Sequence, residues 1–170
     1  SSSDRLQFRD LGLQHRDEFI GGGQRPAGNA LGRGADLFDG EVPVERVGYT
    51  TDLLTERAVE FVRRPRKKPF YLSLHYTSPH WPWEGPNDKA VSDAIQYGPA
   101  AFRAGGSIKV YGEMVKSLDR GVGQVLAALR SARLDRNTLV IFTSDNGGER
   151  FSYHWPFTGQ KMDLHEGGIR

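Results

Sequence analysis

Cysteine is absent from the 170 residues of this chain, which excludes disulfide bonds, thiolate metal sites and a cysteine nucleophile within it. An excess of charge of either sign is also lacking, because the formal net charge of +2 is too small to indicate nucleic-acid binding. No apolar run is long enough to cross a bilayer, and no signal peptide is visible. The contents of 37% hydrophobic and 26% charged residues are nevertheless typical of a folded domain with a core.

Glycine, by contrast, is plentiful, and much of it lies near the start of the chain. The stretch 21–34 reads GGGQRPAGNALGRG and offers few core residues, so we predict a loop or disordered segment there. The sequence FDGEVPVERVGY that follows can form a short hairpin with Asp39-Gly40 at its turn. We therefore treat residues 1–47 as a glycine-rich lead-in and expect the main structured part at 48–170.

Two segments have the periodicity of amphipathic helices. Residues 50–64 carry one apolar face, with Thr50 or Thr51 expected as the N-cap and Pro65 as the stop. Residues 108–132 repeat apolar side chains at intervals of three and four, which predicts a long helix packed on a sheet.

Two other segments predict strands. Residues 69–80 alternate apolar and polar side chains and break at Ser78-Pro79. Residues 137–142, NTLVIF, contain a continuous apolar run typical of a parallel strand covered on both faces. A strand, the helix at 108–132 and a second strand make a βαβ unit, for which a right-handed crossover is expected. The predicted class is therefore α/β, with a mostly parallel sheet and flanking helices.

Polar, turn-forming sequence follows each predicted strand. The first strand ends near His80, and the second ends at Asp145 and Asn146, where Gly147-Gly148 allows a sharp turn. In open α/β sheets, ligands bind beyond the carboxyl ends of the strands. A carboxylate beside an amide oxygen suits calcium or magnesium, but calcium takes about six to eight oxygens. Further ligands must therefore come from elsewhere.

These residues also have interpretations without chemistry. Asp-Asn-Gly-Gly is a common turn sequence, and composition alone favours the turn over a metal site. His80 fits a substrate contact that protonates a leaving group, or a surface loop. Lys161, within TGQKMDLHEGGIR, fits an anion contact or a solvated side chain. The basic run RRPRKK at 63–68 is interpreted as a solvated connection.

The other aromatic and histidine side chains give weaker signals. Four of them can form a wall for a ring-bearing or sugar substrate, or can anchor loops: Trp81, Trp83, Trp155 and Phe157. We interpret His75 as strand packing and keep His165 only as a neighbour of the site. His154 has a weak case and receives no role.

Five blocks of this sequence, in this order, resemble the sulfatase family: GYTTDLLTERAVEFV, PFYLSLHYTSPHWPW, YGEMVKSLDRGVGQVLAALR, TLVIFTSDNGG and GQKMDLHEGGIR. They run from about residue 48 to the last residue. The resemblance implies an alkaline-phosphatase-like α/β fold, present here in part. It also implies hydrolysis of a sulfate ester, carried by a small molecule or a glycan, with a bound divalent cation.

The resemblance assigns roles to individual residues. Asp145 and Asn146 match the family's Asp-Asn pair, which ligates a divalent cation, usually calcium. His80 matches the histidine that contacts the sulfate or the leaving-group oxygen. Lys161, five residues before Glu-Gly-Gly, matches the lysine that neutralises a sulfate oxygen. The Glu-Gly-Gly-x-Arg ending at Arg170 is expected to be structural.

The sequence departs from the family at its nucleophile. Sulfatases carry a Cys- or Ser-x-Pro-x-Arg motif whose first residue is oxidised to formylglycine, and this chain has neither form. Ser1 and Arg5 have the right spacing, but Ser3 stands where proline belongs, so we treat the match as coincidence. The family's N-terminal pair of acidic metal ligands and its C-terminal domain are also missing. We therefore expect an internal fragment of a sulfatase, inactive in isolation.

Two alternative functions stay open. One is a phosphodiesterase or phosphonate monoester hydrolase of the same fold, and the other is a non-catalytic binding fragment. The resemblance implies a periplasmic or secreted protein, as for many family members. The sequence indicates neither the natural substrate nor the oligomeric state.

Overall fold

The computed structural model describes residues 37–39, 42–44, 46–88 and 105–170. The chain divides into two compact units, one ending at Asp135 and the other spanning Arg136–Arg170. Most of the predicted lead-in, including its glycine-rich stretch, lies outside the described residues. No helix among the described residues combines the length and the apolar character needed to cross a membrane.

A short hairpin opens the described part of the first unit. Strand β1 (Phe38–Asp39) pairs antiparallel with strand β2 (Val42–Pro43), and Asp39 lies opposite Val42. The Val44 N–H donates to the Leu37 carbonyl oxygen at 2.9 Å, which extends the pairing by one bond. The predicted hairpin is thus confirmed, while Gly40 of its turn lies outside the described residues.

Helix α1 spans Thr50–Arg63, as its apolar periodicity predicts. The expected N-cap at Thr50 or Thr51 is wrong, because both residues already lie inside the helix. Tyr49 takes the cap position with an extended backbone and makes no side-chain cap hydrogen bond. Burial, rather than capping, therefore defines this end of the helix: Tyr49 and Thr51 are both buried.

The basic run after α1 is only partly the solvated connection that its composition indicates. The guanidinium of Arg66 lies 4.2 Å from the ring centre of Phe61 and 4.4 Å from that of Phe70. It also donates a hydrogen bond to the Phe61 carbonyl oxygen in the last helical turn, which accepts the Arg64 N–H as well. Desolvation, aided by the charge of Arg64, lowers the pKa of Arg66. Arg66 thus closes the helix end.

Helix α2 spans Ile108–Ser131 and packs against α1. The Ser107 hydroxyl caps it by accepting a hydrogen bond from the Val110 N–H at 3.1 Å. The core of this unit joins buried residues of both helices, namely Phe61, Val62, Ala128 and Leu129. Phe70 and Leu72, in the segment that follows α1, pack against this cluster, so apolar side chains of the first predicted strand reach the core.

The two helices approach closely at Gly121. A Cβ at this position would lie 2.5 Å from Thr55 Oγ1 and 2.9 Å from the Tyr76 hydroxyl oxygen. Those two oxygens form a hydrogen bond of 2.8 Å, and the Thr55 hydroxyl also donates to the Thr51 carbonyl at 2.7 Å. Burial raises the pKa of Tyr76, and the Thr55 hydrogen bond partly opposes that rise. The absence of a side chain at 121 therefore makes room for a polar contact between α1 and the Tyr76 segment.

The two predicted strands are not observed as strands. Neither the segment before Ser78 nor residues 137–142 belongs to a hydrogen-bonded ladder among the described residues. Four consecutive apolar side chains of the second segment are exposed by 86, 53, 77 and 72%: Leu139, Val140, Ile141 and Phe142. A strand exists only through partners on its edges, and a buried parallel strand also needs covering layers. The described residues supply no strand partner to either segment and leave residues 139–142 uncovered.

The close packing at Gly121 predicts opposite effects for two neighbouring substitutions. Gly121→Ala should lower the free energy of unfolding by about 1–3 kcal/mol, because the new methyl group collides with buried oxygens. Gly123→Ala should raise it by roughly 0.5–1 kcal/mol, because a Cβ there meets no atom within 4 Å and alanine favours the helix. Chemical denaturation of the two variants measures the difference. Equal effects in both would contradict the close approach at Gly121.

Candidate functional site

Hydrogen bonds hold the loop that carries His80 to α2 and to the residue that precedes α1. The Ser78 hydroxyl donates to the Met114 carbonyl of α2 at 3.2 Å, and the Tyr49 hydroxyl donates to the Glu84 carbonyl at 3.1 Å. The His80 N–H donates to the Thr77 carbonyl at 2.9 Å, closing a turn. His80 thus sits on a loop whose backbone is held from both sides, which suits a side chain that must be positioned.

The ring of His80 has a defined proton arrangement. Its Nδ1 lies 2.7 Å from the Trp81 carbonyl oxygen, which can only accept, so Nδ1 carries a proton. In the neutral ring, Nε2 then holds the lone pair, and in the charged ring it becomes a second donor. The rings of His80 and Trp81 pack with centres 4.6 Å apart. The hydrogen bond to the Trp81 carbonyl thus fixes the tautomer of the neutral ring.

The Asp-Asn loop lies in the second unit, Arg136–Arg170. The Asp145 side chain is exposed and that of Asn146 is half-buried. Two hydrogen bonds to main-chain carbonyls hold the loop: the Ser144 hydroxyl donates to the Asn146 carbonyl at 2.8 Å, and the Gly147 N–H donates to the Gly168 carbonyl at 2.9 Å. The backbone is fixed while the acid and amide groups stay accessible, as a cation site requires.

Glycine is required on both sides of this contact. A Cβ on Gly147 would overlap the Gly167 carbonyl, and a Cβ on Gly167 would overlap the Gly159 carbonyl. A Cβ on Gly168 would in turn overlap the Asp163 carbonyl oxygen. These obstacles are backbone atoms and cannot rotate away. The Asp-Asn-Gly-Gly motif therefore packs through Gly147 on the backbone of the Glu-Gly-Gly motif, which in turn packs on the backbone of residues 158–163.

Lys161 is attached to the same loop. Its N–H donates to the Gly148 carbonyl oxygen at 2.7 Å, and the adjoining turn is closed by a hydrogen bond from the Asp163 N–H to the Gln160 carbonyl at 2.9 Å. The main chain thus connects the lysine to the loop of the acid–amide pair. We call the segments 145–148, 158–161 and 166–168, which hydrogen bonds join, the backbone frame. His80 lies in the other unit, so its approach to this group stays a prediction.

Helix α3 (Glu166–Ile169) completes the frame. Its Gly167 N–H donates to the Thr158 carbonyl at 2.9 Å, next to the lysine turn. Arg170 pairs with Glu166 at 2.6 Å and stacks its guanidinium 5.3 Å from the ring centre of Phe157. These contacts join the Glu-Gly-Gly-x-Arg ending to Phe157 and Thr158, and the structural role expected for this ending stays a prediction.

Asp145 and Asn146 fit one part of a cation site. Their carboxylate and amide oxygens are hard donors, on a loop that glycine packing holds in place. No group of three His, Asp or Glu side chains that could hold a metal gathers among the described residues. Since calcium takes about six to eight oxygens, the pair can supply only a share of them.

The aromatic residues separate into two groups. Trp83 is 5% exposed and anchors its loop in the core, so it cannot face a substrate. Trp155 is 76% exposed and Phe157 is 41% exposed, and both stay compatible with a wall. Sequence reasoning gave no role to His154, whose ring lies beside Gly148. That position follows from tertiary packing, and the local sequence carries no signal for it.

Comparison with known proteins identifies relatives along most of the chain. The sulfatase family model matches residues 15–170. Steryl-sulfatase of Mus musculus is 34% identical over 145 residues, which cover 79% of this chain and 21% of that protein. N-acetylgalactosamine-6-sulfatase of Mus musculus is 30% identical over 144 residues, covering 78% of this chain and 25% of that protein.

A solved structure agrees with these matches. The crystal structure of Ps i-CgsB in complex with k-i-k-neocarrahexaose superposes with a TM-score of 0.64 at 32% identity, covering 79% of this chain and 29% of that chain. The chain thus spans about a fifth to a quarter of the length of the curated relatives it matches. This similarity implies the alkaline-phosphatase-like α/β fold. The described residues themselves form helices and one short hairpin. On the family match and these relatives, this chain belongs to the sulfatase family.

Proposed function

We propose that this chain is part of a sulfuric-ester hydrolase that cleaves sulfate esters with a bound divalent cation. The observation that carries the proposal is the main-chain bond from Lys161 to Gly148, which joins the lysine to the loop of Asp145 and Asn146. A sulfate group bound at a cation needs a second positive charge for its remaining oxygens. A lysine on the same frame can supply it.

The cation would be held by the side-chain oxygens of Asp145 and Asn146, and calcium is the cation proposed. When bound, it would offset negative charge on the sulfate group. Lys161 would bind a sulfate oxygen as a compact point charge. The glycine packing beneath the loop keeps these groups in place, so little reorganisation is required when substrate arrives.

His80 is proposed to act on the leaving-group oxygen. With Nδ1 bonded to the Trp81 carbonyl, the proton that His80 delivers resides on Nε2 of the charged ring. Donating it to the departing alcohol oxygen leaves the neutral ring in the tautomer that this hydrogen bond stabilises. The Trp81 carbonyl therefore fixes which nitrogen takes part.

No residue of this chain fits formylglycine. There is no cysteine, and no serine stands in a Ser-x-Pro-x-Arg sequence. We therefore derive no step through that group, and the proposal covers substrate binding, cation binding and leaving-group protonation only.

A glycan sulfate ester is the substrate class that we propose. The exposed rings of Tyr153 and Trp155, 87% and 76% accessible, lie a few residues before Lys161 in the same unit. Aromatic faces of this kind pack against the apolar faces of sugar rings. The similarity to a protein crystallised with neocarrahexaose supports the same class.

The reaction is tested by steady-state kinetics of the full-length protein that contains this chain. An aryl sulfate should be hydrolysed with a kcat/KM at least tenfold above that of an aryl phosphate diester. The reverse preference would replace the sulfatase proposal with a phosphodiesterase, and activity on neither would indicate a binding protein.

Substitution of Asp145 tests the cation site. Asp145→Ala in the full-length protein should weaken calcium binding by roughly 10–100-fold or more, since a ligand contributes at least as much as its supporting residues. Sulfatase activity should fall with it and recover in part at high calcium. Asp119→Ala, which removes an exposed carboxylate of α2, serves as the control. Isothermal titration calorimetry gives the affinity, and an unchanged affinity in Asp145→Ala would remove this residue from the cation site.

Substitution of Lys161 tests the anion contact. Lys161→Ala should reduce kcat for the aryl sulfate by about 10²–10³-fold, because charge developing in the transition state loses a fixed partner. The fold should survive, because the frame holds this residue through its main chain. Lys116→Ala on the exposed face of α2 is the matched control. Loss of the far-ultraviolet circular dichroism signal in Lys161→Ala alone would show a structural role instead.

A further inference from the structure

His154 occupies an unusual position between two exposed rings. Tyr153 and Trp155 on either side of it are 87% and 76% exposed, whereas His154 is half-buried. Its Nε2 atom is buried and has no hydrogen-bond partner within the part of the chain that the structure describes. Buried polar atoms are nearly always paired, and an unpaired one is destabilising. The arrangement is therefore typical of a group that pairs with a ligand.

The position of Nε2 relates it to the proposed site. A Cβ built on Gly148 would lie 3.0 Å from His154 Nε2, so the ring packs against the open face of this glycine. The carbonyl oxygen of Gly148 accepts the Lys161 N–H, and Gly148 follows Asn146 by two residues. The imidazole thus lies beside the residue that connects the lysine to the acid–amide pair.

The glycine at 148 is needed for this approach. A Cβ there would also overlap the Ser152 hydroxyl, so any larger residue would displace the segment that carries His154. The His154 carbonyl accepts the Phe157 N–H at 2.7 Å, which closes a turn and fixes the backbone that carries the ring. From this backbone the ring places Nε2 beside Gly148 of the Asp-Asn-Gly-Gly loop.

The chemistry of Nε2 selects its partner. Calcium prefers oxygen ligands, so an imidazole beside a hard cation site is poorly suited to the metal itself. A sulfate group offers only acceptors, and an imidazole N–H is a donor that strengthens when its acceptor is charged.

We infer that His154 is a substrate-binding residue whose Nε2–H donates a hydrogen bond to an oxygen of the sulfate group at Lys161. The inference rests on the proposed sulfatase function and adds to it a contact that fixes the orientation of the sulfate. Since inorganic sulfate presents the same oxygens as the ester, the contact serves substrate and product alike. Its loss should therefore appear mainly in binding constants.

The test compares His154→Ala and His154→Gln in the full-length protein with calcium present. His154→Ala should raise both the KM for an aryl sulfate and the inhibition constant of inorganic sulfate by about tenfold, the factor expected for one charge-assisted hydrogen bond. Glutamine can place an amide N–H near the position of Nε2, so His154→Gln should restore both constants to within about threefold of wild type. His75→Gln, at an exposed histidine, is the control.

The outcomes separate the inference from the proposed function. If wild type hydrolyses the sulfate ester and His154→Ala leaves KM and sulfate inhibition unchanged, the inference is overturned and the proposed function stands. Equal losses in the alanine and glutamine variants, with a lowered melting temperature, would show packing alone and also overturn it. If His154→Ala fails to fold, near-normal sulfate inhibition of His154→Gln together with a tenfold rise in His154→Leu supports it. Failure of wild type to bind sulfate in calorimetry would overturn both proposals.

Discussion

The contact on which the candidate site depends is the backbone packing between two glycine pairs. Gly147 and Gly168 join through one hydrogen bond, and carbonyl oxygens occupy the space that a Cβ would take on either side. Because both surfaces are main chain, their separation is set by van der Waals radii and not by side-chain rotamers. The acid–amide pair and Lys161 inherit their relative placement from this contact. The packing of the main chain therefore does not depend on the side chains of Asp145, Asn146 and Lys161.

The first unit also uses a glycine to allow a close approach, here between two helices and a loop segment. At Gly121 the missing side chain admits a pair of hydroxyls, and the resulting hydrogen bond joins α1 to the segment that leads into His80. Two further hydrogen bonds, from Ser78 and Tyr49, hold the loop on either side of the histidine. Most of these bonds end on carbonyl oxygens. Placement of His80 thus depends on polar side chains that reach the backbone, whereas in the second unit the backbone contacts itself.

The sequence predicts the helices well and the strands poorly, for one physical reason. A helix completes its hydrogen bonds within its own segment, so periodicity and a cap such as Ser107 are enough to identify α2. A strand completes its hydrogen bonds with partners elsewhere in the chain. The apolar run at 139–142 therefore shows that a strand there would need partners and cover, but it does not show whether the chain supplies them. Capping at Thr50 or Thr51 failed because the start of α1 is determined by burial of Tyr49. For the proposed site, motif spacing singled out Asp145 and Lys161, whereas only tertiary contacts revealed the buried Nε2 atom of His154.

The attachment of Lys161 through its amide separates the requirements of the fold from those of binding at this position. An N–H is common to every residue except proline, so the bond to Gly148 survives almost any exchange at that position. The scaffold therefore places no demand on the side chain at 161, which can be chosen entirely for the anion that it binds. Gly147, Gly167 and Gly168 cannot be exchanged in this way, because backbone atoms occupy the space that a Cβ would take.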